Sequence, residues 1–428
     1  MMKRFLVAIL VLALTIGLLA GCAEKQTSSG TGSTTSSSKT ETPSPGKETA
    51  SEKKELTLWY YWETEKHQQT LGRVIKEFNG SQGGSEVTAR YIPFADFKKV
   101  LSIGAASTEL PDIVIIDSPD HASYAAMGIF ADLTDKLKDW DGLDQYYEGP
   151  INSCKLDGRL YGVPFGSNCL ALYYNEDMLK EANCNVPTNW EELRDVAKKT
   201  TKNGVFGFAM CCLQNEEGTF NFMPWMWSTG TTSFEIDNPN GIKALTLVGD
   251  LIKDGSMSKE VINWTQGDVM NQFISGNIAM MINGPWQVPT MREQAPDLKW
   301  NVALIPKDAK NASVLGGENF AVIKGDNENE ALEFVKFAAD VNMLKSYIED
   351  FGYIAARKDV AETQFTNDAI MKVFINQLQY AQPRGPHERW PEISNAISLA
   401  VNEVITGAST PEDAAKKAQN TINEIMGK

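Results

Sequence analysis

The chain has 428 residues and a formal charge of −15, with 42% hydrophobic and 22% charged residues. That length exceeds one ordinary core and suffices for two lobes, and the composition is that of a soluble globular protein. The acidic balance argues against nucleic acid and against an anionic membrane face. The three histidines, His67, His121 and His387, are scattered without metal-ligand spacing, so neither a metal nor another cofactor is expected.

Lys3 and Arg4 precede an apolar run from Phe5 to Ala20, which ends in Leu19-Ala20-Gly21-Cys22. A basic start, a short apolar stretch and small residues at the cut site make a secretory signal rather than a spanning helix. A cysteine directly after Leu-Ala-Gly resembles the bacterial lipoprotein signal. It implies a signal peptide at residues 1–21 and a lipid on Cys22, and several acyl chains on one cysteine hold stably to a membrane. Loss of Lys3 and Arg4 takes the charge from −15 to −17. Residues 22–54 are rich in Ser, Thr, Gly, Pro, Lys and Glu and cannot bury enough surface to order themselves. They are expected to form a disordered tether with a reach of about 30 Å. The other five cysteines, Cys154, Cys169, Cys184, Cys211 and Cys212, are odd in number, so at least one is free or pairs outside the chain. With no Cys-x-x-Cys, most read as small buried hydrophobes, and no bridge is assigned.

Leu56–Trp62 reads as a first strand. Leu71, Val74, Ile75 and Phe78 fall at helical spacing, closed by Asn79-Gly80. Val87–Tyr91 predicts a second strand and Phe94 to Ala106 a second helix. Ile113–Ile116 is a continuous apolar run of the kind buried on both faces of a parallel sheet, and it ends at Asp117-Ser118-Pro119. Alternating strands and helices indicate an α/β lobe. Gly166-Ser167-Asn168 then breaks a strand-like stretch that resumes at Leu170–Asn175. Thr188 with Glu191 reads as a capping box, Phe206 to Met210 as a strand, and Phe220 to Trp227 as an aromatic cluster. Two apolar helical faces follow, Ile242 to Ile252 and Val269 to Ile274. Ile278–Ile282 is a short apolar strand stopped by Asn283-Gly284-Pro285, which throws Trp286 past the strand end. Trp300–Ile305 is a strand, Val314–Ile323 an apolar run interrupted at Gly316-Gly317-Glu318-Asn319, and the remainder is mostly helical. Ser409, Pro411 and Glu412-Asp413 sign the last helix.

No phosphate-binding loop, nucleophile elbow or His-Glu-x-x-His occurs. With 55 acidic residues a chance carboxylate pair says nothing about a glycosidase. What stands out is aromatics with carboxylates or amides at the ends of strand-like runs: Trp62-Glu63, Asp117, Asn168, the 220–227 cluster, Trp286 and Glu318. Aromatic platforms with a few aimed polar groups suit a sugar's C–H faces and hydroxyl edges. Each has a plainer reading. Trp62 and Trp286 are either ligand platforms or core plugs, and Asp117 either meets ligand or caps the next helix. Trp59 and Trp190 read as packing residues. Trp225 and Trp227 are two apart and would share a face on a strand, one stacking on ligand and the other packing.

The Leu-Ala-Gly-Cys signal, Pro111-Asp112 with its strand and Asp117, Tyr161-Gly162-Val163-Pro164, Leu172-Tyr173-Tyr174-Asn175 and Ala279–Trp286 together resemble the extracellular solute-binding proteins of ABC importers. They are most similar to the sugar-binding branch that includes maltose-binding protein. The resemblance covers Leu56 to the C-terminus. It implies a non-enzymatic two-lobe α/β fold of the type II periplasmic-binding-protein kind, with discontinuous lobes joined by hinge strands that close on ligand. One lobe would be residues 55–169 with 285–318, the other 170–284 with 319–428, crossing near Cys169–Ala171, Ile282–Gly284 and Glu318–Val322. It implies ligand contacts at Trp62, Glu63, Asp117, Asn168, Phe220, Trp225, Trp227, Trp286, Gly317, Glu318, Tyr353 and Arg384. It implies a carbohydrate ligand, the permease subunits of an importer as partners, a monomer, and a site of action at the outer face of the cell membrane. The amide at Asn168 and Pro119 after Asp117 depart from maltose-binding protein, so maltose itself is not implied. A cationic binder such as one for polyamines, a surface glycoside hydrolase and a ferric-ion binder using paired tyrosines are the other readings.

Overall fold

The first strand, Lys54–Tyr60, carries Leu56, Leu58, Trp59 and Tyr60 into the interior and pairs in parallel with Ser85–Tyr91 on one side and Ile113–Asp117 on the other. The computed structural model describes residues 53–107, 109–385 and 387–428. The signal peptide, Cys22 and the expected tether up to residue 52 lie outside these residues, and Lys54 already belongs to the sheet.

Glu318–Val322 adds an antiparallel strand beside Ile113–Asp117 and in turn pairs with Val163–Pro164, which completes a five-stranded sheet. The run Ile113–Ile116 is fully buried, as its unbroken apolarity predicts. Helix Glu65–Ser81 starts where Thr64 accepts the N–H of His67, and it buries Leu71, Val74, Ile75 and Phe78. Its end is tied to the second strand because the Asn79 side chain both donates to and accepts from the backbone of Val87, each at 2.9 Å.

The second sheet has the order Trp300–Ala303, Ala171–Asn175, Met280–Asn283, all antiparallel. The expected strand at Phe206–Met210 reduces to isolated parallel bridges, Phe206 to Ile278 and Ala209 to Met281. Helix Trp190–Thr200 is capped by Asn189, and Thr188 closes the box with Glu192 rather than the expected Glu191. Thr410, not Ser409, caps the last helix, Pro411–Ile425.

Two hydrophobic cores result. One spans Leu56 to Phe165 and Phe320 to Tyr353, with Ala355, Ala356 and Val360. The other runs from Cys169 to Val314, takes in Ile354 and resumes from Met371 to Ile422. The lobe limits expected from the sequence therefore shift. Val288, Met291, Val302 and Ile305 pack in the second core, not the first, and Phe320 to Tyr347 pack in the first, not the second. Ile282–Gly284 is not a crossing, because Met280–Asn283 is bound within the second sheet. The chain crosses at Asn168–Leu170, at Gly316-Gly317, and between Val360 and Met371.

The first two crossings are locked together. Asn168 and Gly316 exchange backbone hydrogen bonds at 3.0 and 2.9 Å, and Phe165 donates to the Glu318 carbonyl at 2.8 Å. A Cβ on Gly316 would overlap the Asn168 amide, and one on Gly317, at φ +141°, would overlap the Gly166 carbonyl. All five described cysteines are free; Cys154 is buried in the first core, Cys169, Cys211 and Cys212 are buried in the second, and Cys184 is partly exposed.

Candidate functional site

Where the two cores meet there is a cavity of about 120 Å³. The first lobe supplies Tyr61, Trp62, Glu63 and Thr64 from the end of its first strand, Asp117 from the end of its third, and Glu318 and Tyr353. The second supplies Glu216, Glu217, Phe220, Gln266, Trp286, Gln287 and Arg384, while Asn168, Gly316 and Gly317 form the floor at the crossings.

Ten of the twelve residues expected from the sequence line this cavity: Trp62, Glu63, Asp117, Asn168, Phe220, Trp286, Gly317, Glu318, Tyr353 and Arg384. Trp225 and Trp227 do not. They lie in helix Glu216–Ser228, not on a strand, and both are buried in the second core, with Trp225 packed on Trp190 and Phe208. The helix is buried on nearly every side, so its apolar residues show no stripe and period counting has nothing to detect. The signal was at its start. Asn215 caps it by accepting the N–H groups of Glu217 and Gly218, and Glu216-Glu217 form an acidic first turn. Glu216, Glu217 and Gln266 were missed because they are first-turn residues of helices and not strand ends.

Trp286 follows a rigid turn. Gly284 donates to the Asn283 side chain at 3.0 Å, Asn283 donates to the Gln266 carbonyl at 2.9 Å, and the Tyr173 hydroxyl donates to the Gly284 carbonyl at 2.7 Å. The indole folds back over Gly284, where any Cβ would overlap it. Its ring, only half-buried, packs at the edge of both cores, 6.0 Å from the Phe220 ring and 6.5 Å from Tyr353. Trp62 is more deeply set, among Phe165, Phe351 and Tyr353.

The charged side chains form one network across the lobes. Arg384 donates to both oxygens of Asp117 at 2.8 and 2.9 Å and to Glu216 at 2.6 Å, with its guanidinium 4.4 Å from the centre of the Phe220 ring. Asp117 thus meets a cation instead of capping the helical turn after it. Trp390 donates its indole N–H to Glu216, and Lys98 pairs with Asp120 at 2.7 Å and reaches Glu216 at 3.7 Å. Burial raises the Glu216 carboxyl, but Lys98 and Arg384 outweigh it and hold the group below the usual range. Burial dominates at Asp120, which rises to about 7 despite Lys98. Glu217 also rises to about 7 through burial, with Glu63 and Asp268 adding to it.

Six buried polar atoms of lining residues have no partner: Trp62 Nε1, His67 Nε2, Asn168 Oδ1, Gln287 Oε1, Glu318 Oε2 and Arg384 Nε. Leaving such atoms unpaired costs about 1–3 kcal/mol each, so their grouping in one cavity marks a place built for a ligand's polar groups. Among the described residues no group of His, Cys, Asp and Glu is placed to hold a metal ion.

A family model described as bacterial extracellular solute-binding protein matches residues 73–373. The chain belongs to that family. Solute-binding proteins of this family are binders, not enzymes, and act outside the cell. Similar proteins include a putative binding protein of Brucella abortus, 26% identical over 83% of this chain and 89% of its own length. A lactose-binding protein of Rhizobium radiobacter is 27% identical over 71% of this chain and 75% of its own. Among solved structures, an ABC transporter solute-binding protein of Thermotoga lettingae bound with α-D-tagatose superposes with a TM-score of 0.82 at 28% identity, covering 87% of this chain and all of that one. The fold is accordingly the two-lobe periplasmic-binding-protein fold, with discontinuous lobes joined by hinge strands.

Proposed function

We propose that this solute-binding protein captures a mono- or oligosaccharide in the interlobe cleft and delivers it to the permease subunits of an ABC importer. The observation that carries this reading is a cavity lined by Trp62, Phe220, Trp286 and Tyr353 rings around unpartnered polar atoms. Rings stack on a sugar's C–H face while the polar atoms meet its hydroxyls. The relative named for lactose and the neighbour holding tagatose support it. The ligand contacts are Trp62, Glu63, Asp117, Asn168, Phe220, Trp286, Gly317, Glu318, Tyr353 and Arg384.

A tryptophan fluorescence titration against a broad carbohydrate panel is expected to give a saturable change with at least one sugar, and no response to any member would overturn the reading. The protein works as a monomer held by a lipid on Cys22 at the outer face of the membrane. Mass spectrometry of the N-terminal peptide is expected to find acylated Cys22, and Cys22→Ala is expected to release the chain into the medium. The lobes close on ligand about their crossings, so small-angle scattering should report a smaller radius with sugar than without.

One observation favours a cationic ligand instead: among the described residues Glu63 and Glu217, both in the lining, form no ion pair with Lys or Arg. A salt-sensitive response to amines, with none to sugars, would select that reading.

A further inference from the structure

Ile113–Asp117 and Glu318–Val322 run antiparallel, and their register sets Glu318 directly opposite Asp117. Directly opposite residues share a face of the sheet, so two carboxyls meet at one end of the ladder, both in the cavity lining. Two carboxylates held together away from water do not both stay charged, and one takes a proton.

Their partners decide which. Both Asp117 oxygens lie on the Arg384 guanidinium, a fork contact suited to an ionised carboxylate. No Lys or Arg lies within ion-pair distance of Glu318 among the described residues. Its Oε1 accepts from the Tyr353 hydroxyl at 2.8 Å and the Tyr61 hydroxyl at 3.3 Å, and its Oε2 is buried without a partner. The segment 163–167 packed beside this strand brings no titratable group, and helix Glu328–Ala338 turns Ala331, Leu332, Phe334, Val335 and Ala338 inward. The charged or titratable groups facing Glu318 are thus Asp117, Tyr61, Tyr353 and, one step further, Arg384. Burial first, then Asp117, lifts the Glu318 carboxyl to about 8, against the two tyrosine hydroxyls and Arg384.

We propose that Glu318 meets the ligand as a neutral carboxylic acid whose Oε2 hydroxyl donates into the cleft, selecting a ligand that places an accepting oxygen there. With Oε1 taken by two hydroxyl donors, the proton belongs on Oε2, the atom left free. A ring, glycosidic, carbonyl or hydroxyl oxygen fits this position; an ammonium, which only donates, does not. The proposal rests on the cleft being the ligand site, and it gives a chemical reason for carbohydrate over amine.

The test measures the affinity of the tightest sugar in the panel from pH 6.5 to 9.5, for the wild type, Glu318→Gln and Glu318→Met. Wild-type affinity is expected to fall about fivefold between pH 8 and 9 as the donor is lost. Glu318→Gln, whose amide still donates, should lack this alkaline limb and bind at least about tenfold tighter than the similarly shaped Glu318→Met, which cannot donate. Glu217 and Asp120 titrate near 7, so the limb above pH 8, absent in Glu318→Gln, is diagnostic. Affinity that rises or stays flat above pH 8, or equal binding by the two variants, would overturn the proposal. If the wild type binds no sugar at any pH, the functional reading fails by itself. The acid is then read directly: an infrared carboxylic-acid C=O band at pH 7 that disappears in Glu318→Gln upholds its neutral state, and no such band overturns it.

Discussion

The first lobe brings its side chains to the cleft from strand ends, with Trp62 and Glu63 just past Lys54–Tyr60, Asp117 closing its strand and Glu318 opening another. The second lobe brings Glu216 and Gln266 as the first residues of helices, and Trp286 from a turn. A strand end fixes direction through the ladder, so the first wall is set by register. A helix start fixes it through a cap and offers free N–H groups, so the second wall depends on Asn215 and Thr265. Arg384 is where the two walls meet.

Breaking that joint gives the largest expected effect. Arg384→Met leaves Asp117 and Glu216 as buried charges without their shared cation and should cost about 3–5 kcal/mol in chemical denaturation, with loss of ligand response. A change within error would show the walls to be independent. Trp225→Ala, in the core behind the second wall, should cost a similar 3–5 kcal/mol, with the ligand affinity of the folded fraction little altered. Trp286→Ala should do the converse, weakening ligand binding by about 1–3 kcal/mol with a small loss of stability. If the two tryptophan variants behave alike, the distinction between core and cleft rings fails.

The acids make the protein's stability depend on pH in a definite sense. Glu318, Glu217 and Asp120 are raised to about 8, 7 and 7, so the folded state holds protons that the unfolded chain releases, and stability falls as pH rises through their folded values. His67 and His121, buried, are lowered to about 4 and 3 from 6.5, so stability also falls as pH drops below 6.5. Between pH 6.5 and 8 the acids lose about 3 kcal/mol while the two histidines, half-protonated at pH 6.5 in the unfolded chain, return about 1, so denaturation should show a net loss of about 2 kcal/mol. The smallest effect is at the second wall's cap: Asn215→Ala should cost about 1 kcal/mol and shift the Glu216 side of the cleft alone.

These contrasts also explain what could be read from the residues. The amphipathic face of Leu71, Val74, Ile75 and Phe78 and the unbroken run Ile113–Ile116 each carry their burial pattern in their spacing. Strand-end logic reached Trp62, Asp117, Trp286 and Glu318. It failed at 216–228, where a helix buried all round has neither period. Lobe limits failed for another reason: Gly316-Gly317 and Ile282–Gly284 both look like interruptions of a strand, and only the pairing of Met280–Asn283 with Ala171–Asn175 tells a crossing from a turn. The Arg384 network joins residues 117, 216 and 384, and no local pattern encodes a contact of that separation.

The free cysteines give the molecule two internal clocks. Cys154 sits in the first core, and Cys211 and Cys212 in the second. Burial pushes all three thiols well above their ordinary range, so a thiol reagent meets unreactive sulfur until the surrounding lobe opens. Mass-resolved alkylation of the unmodified sequence can therefore time the opening of each lobe separately, with no label introduced.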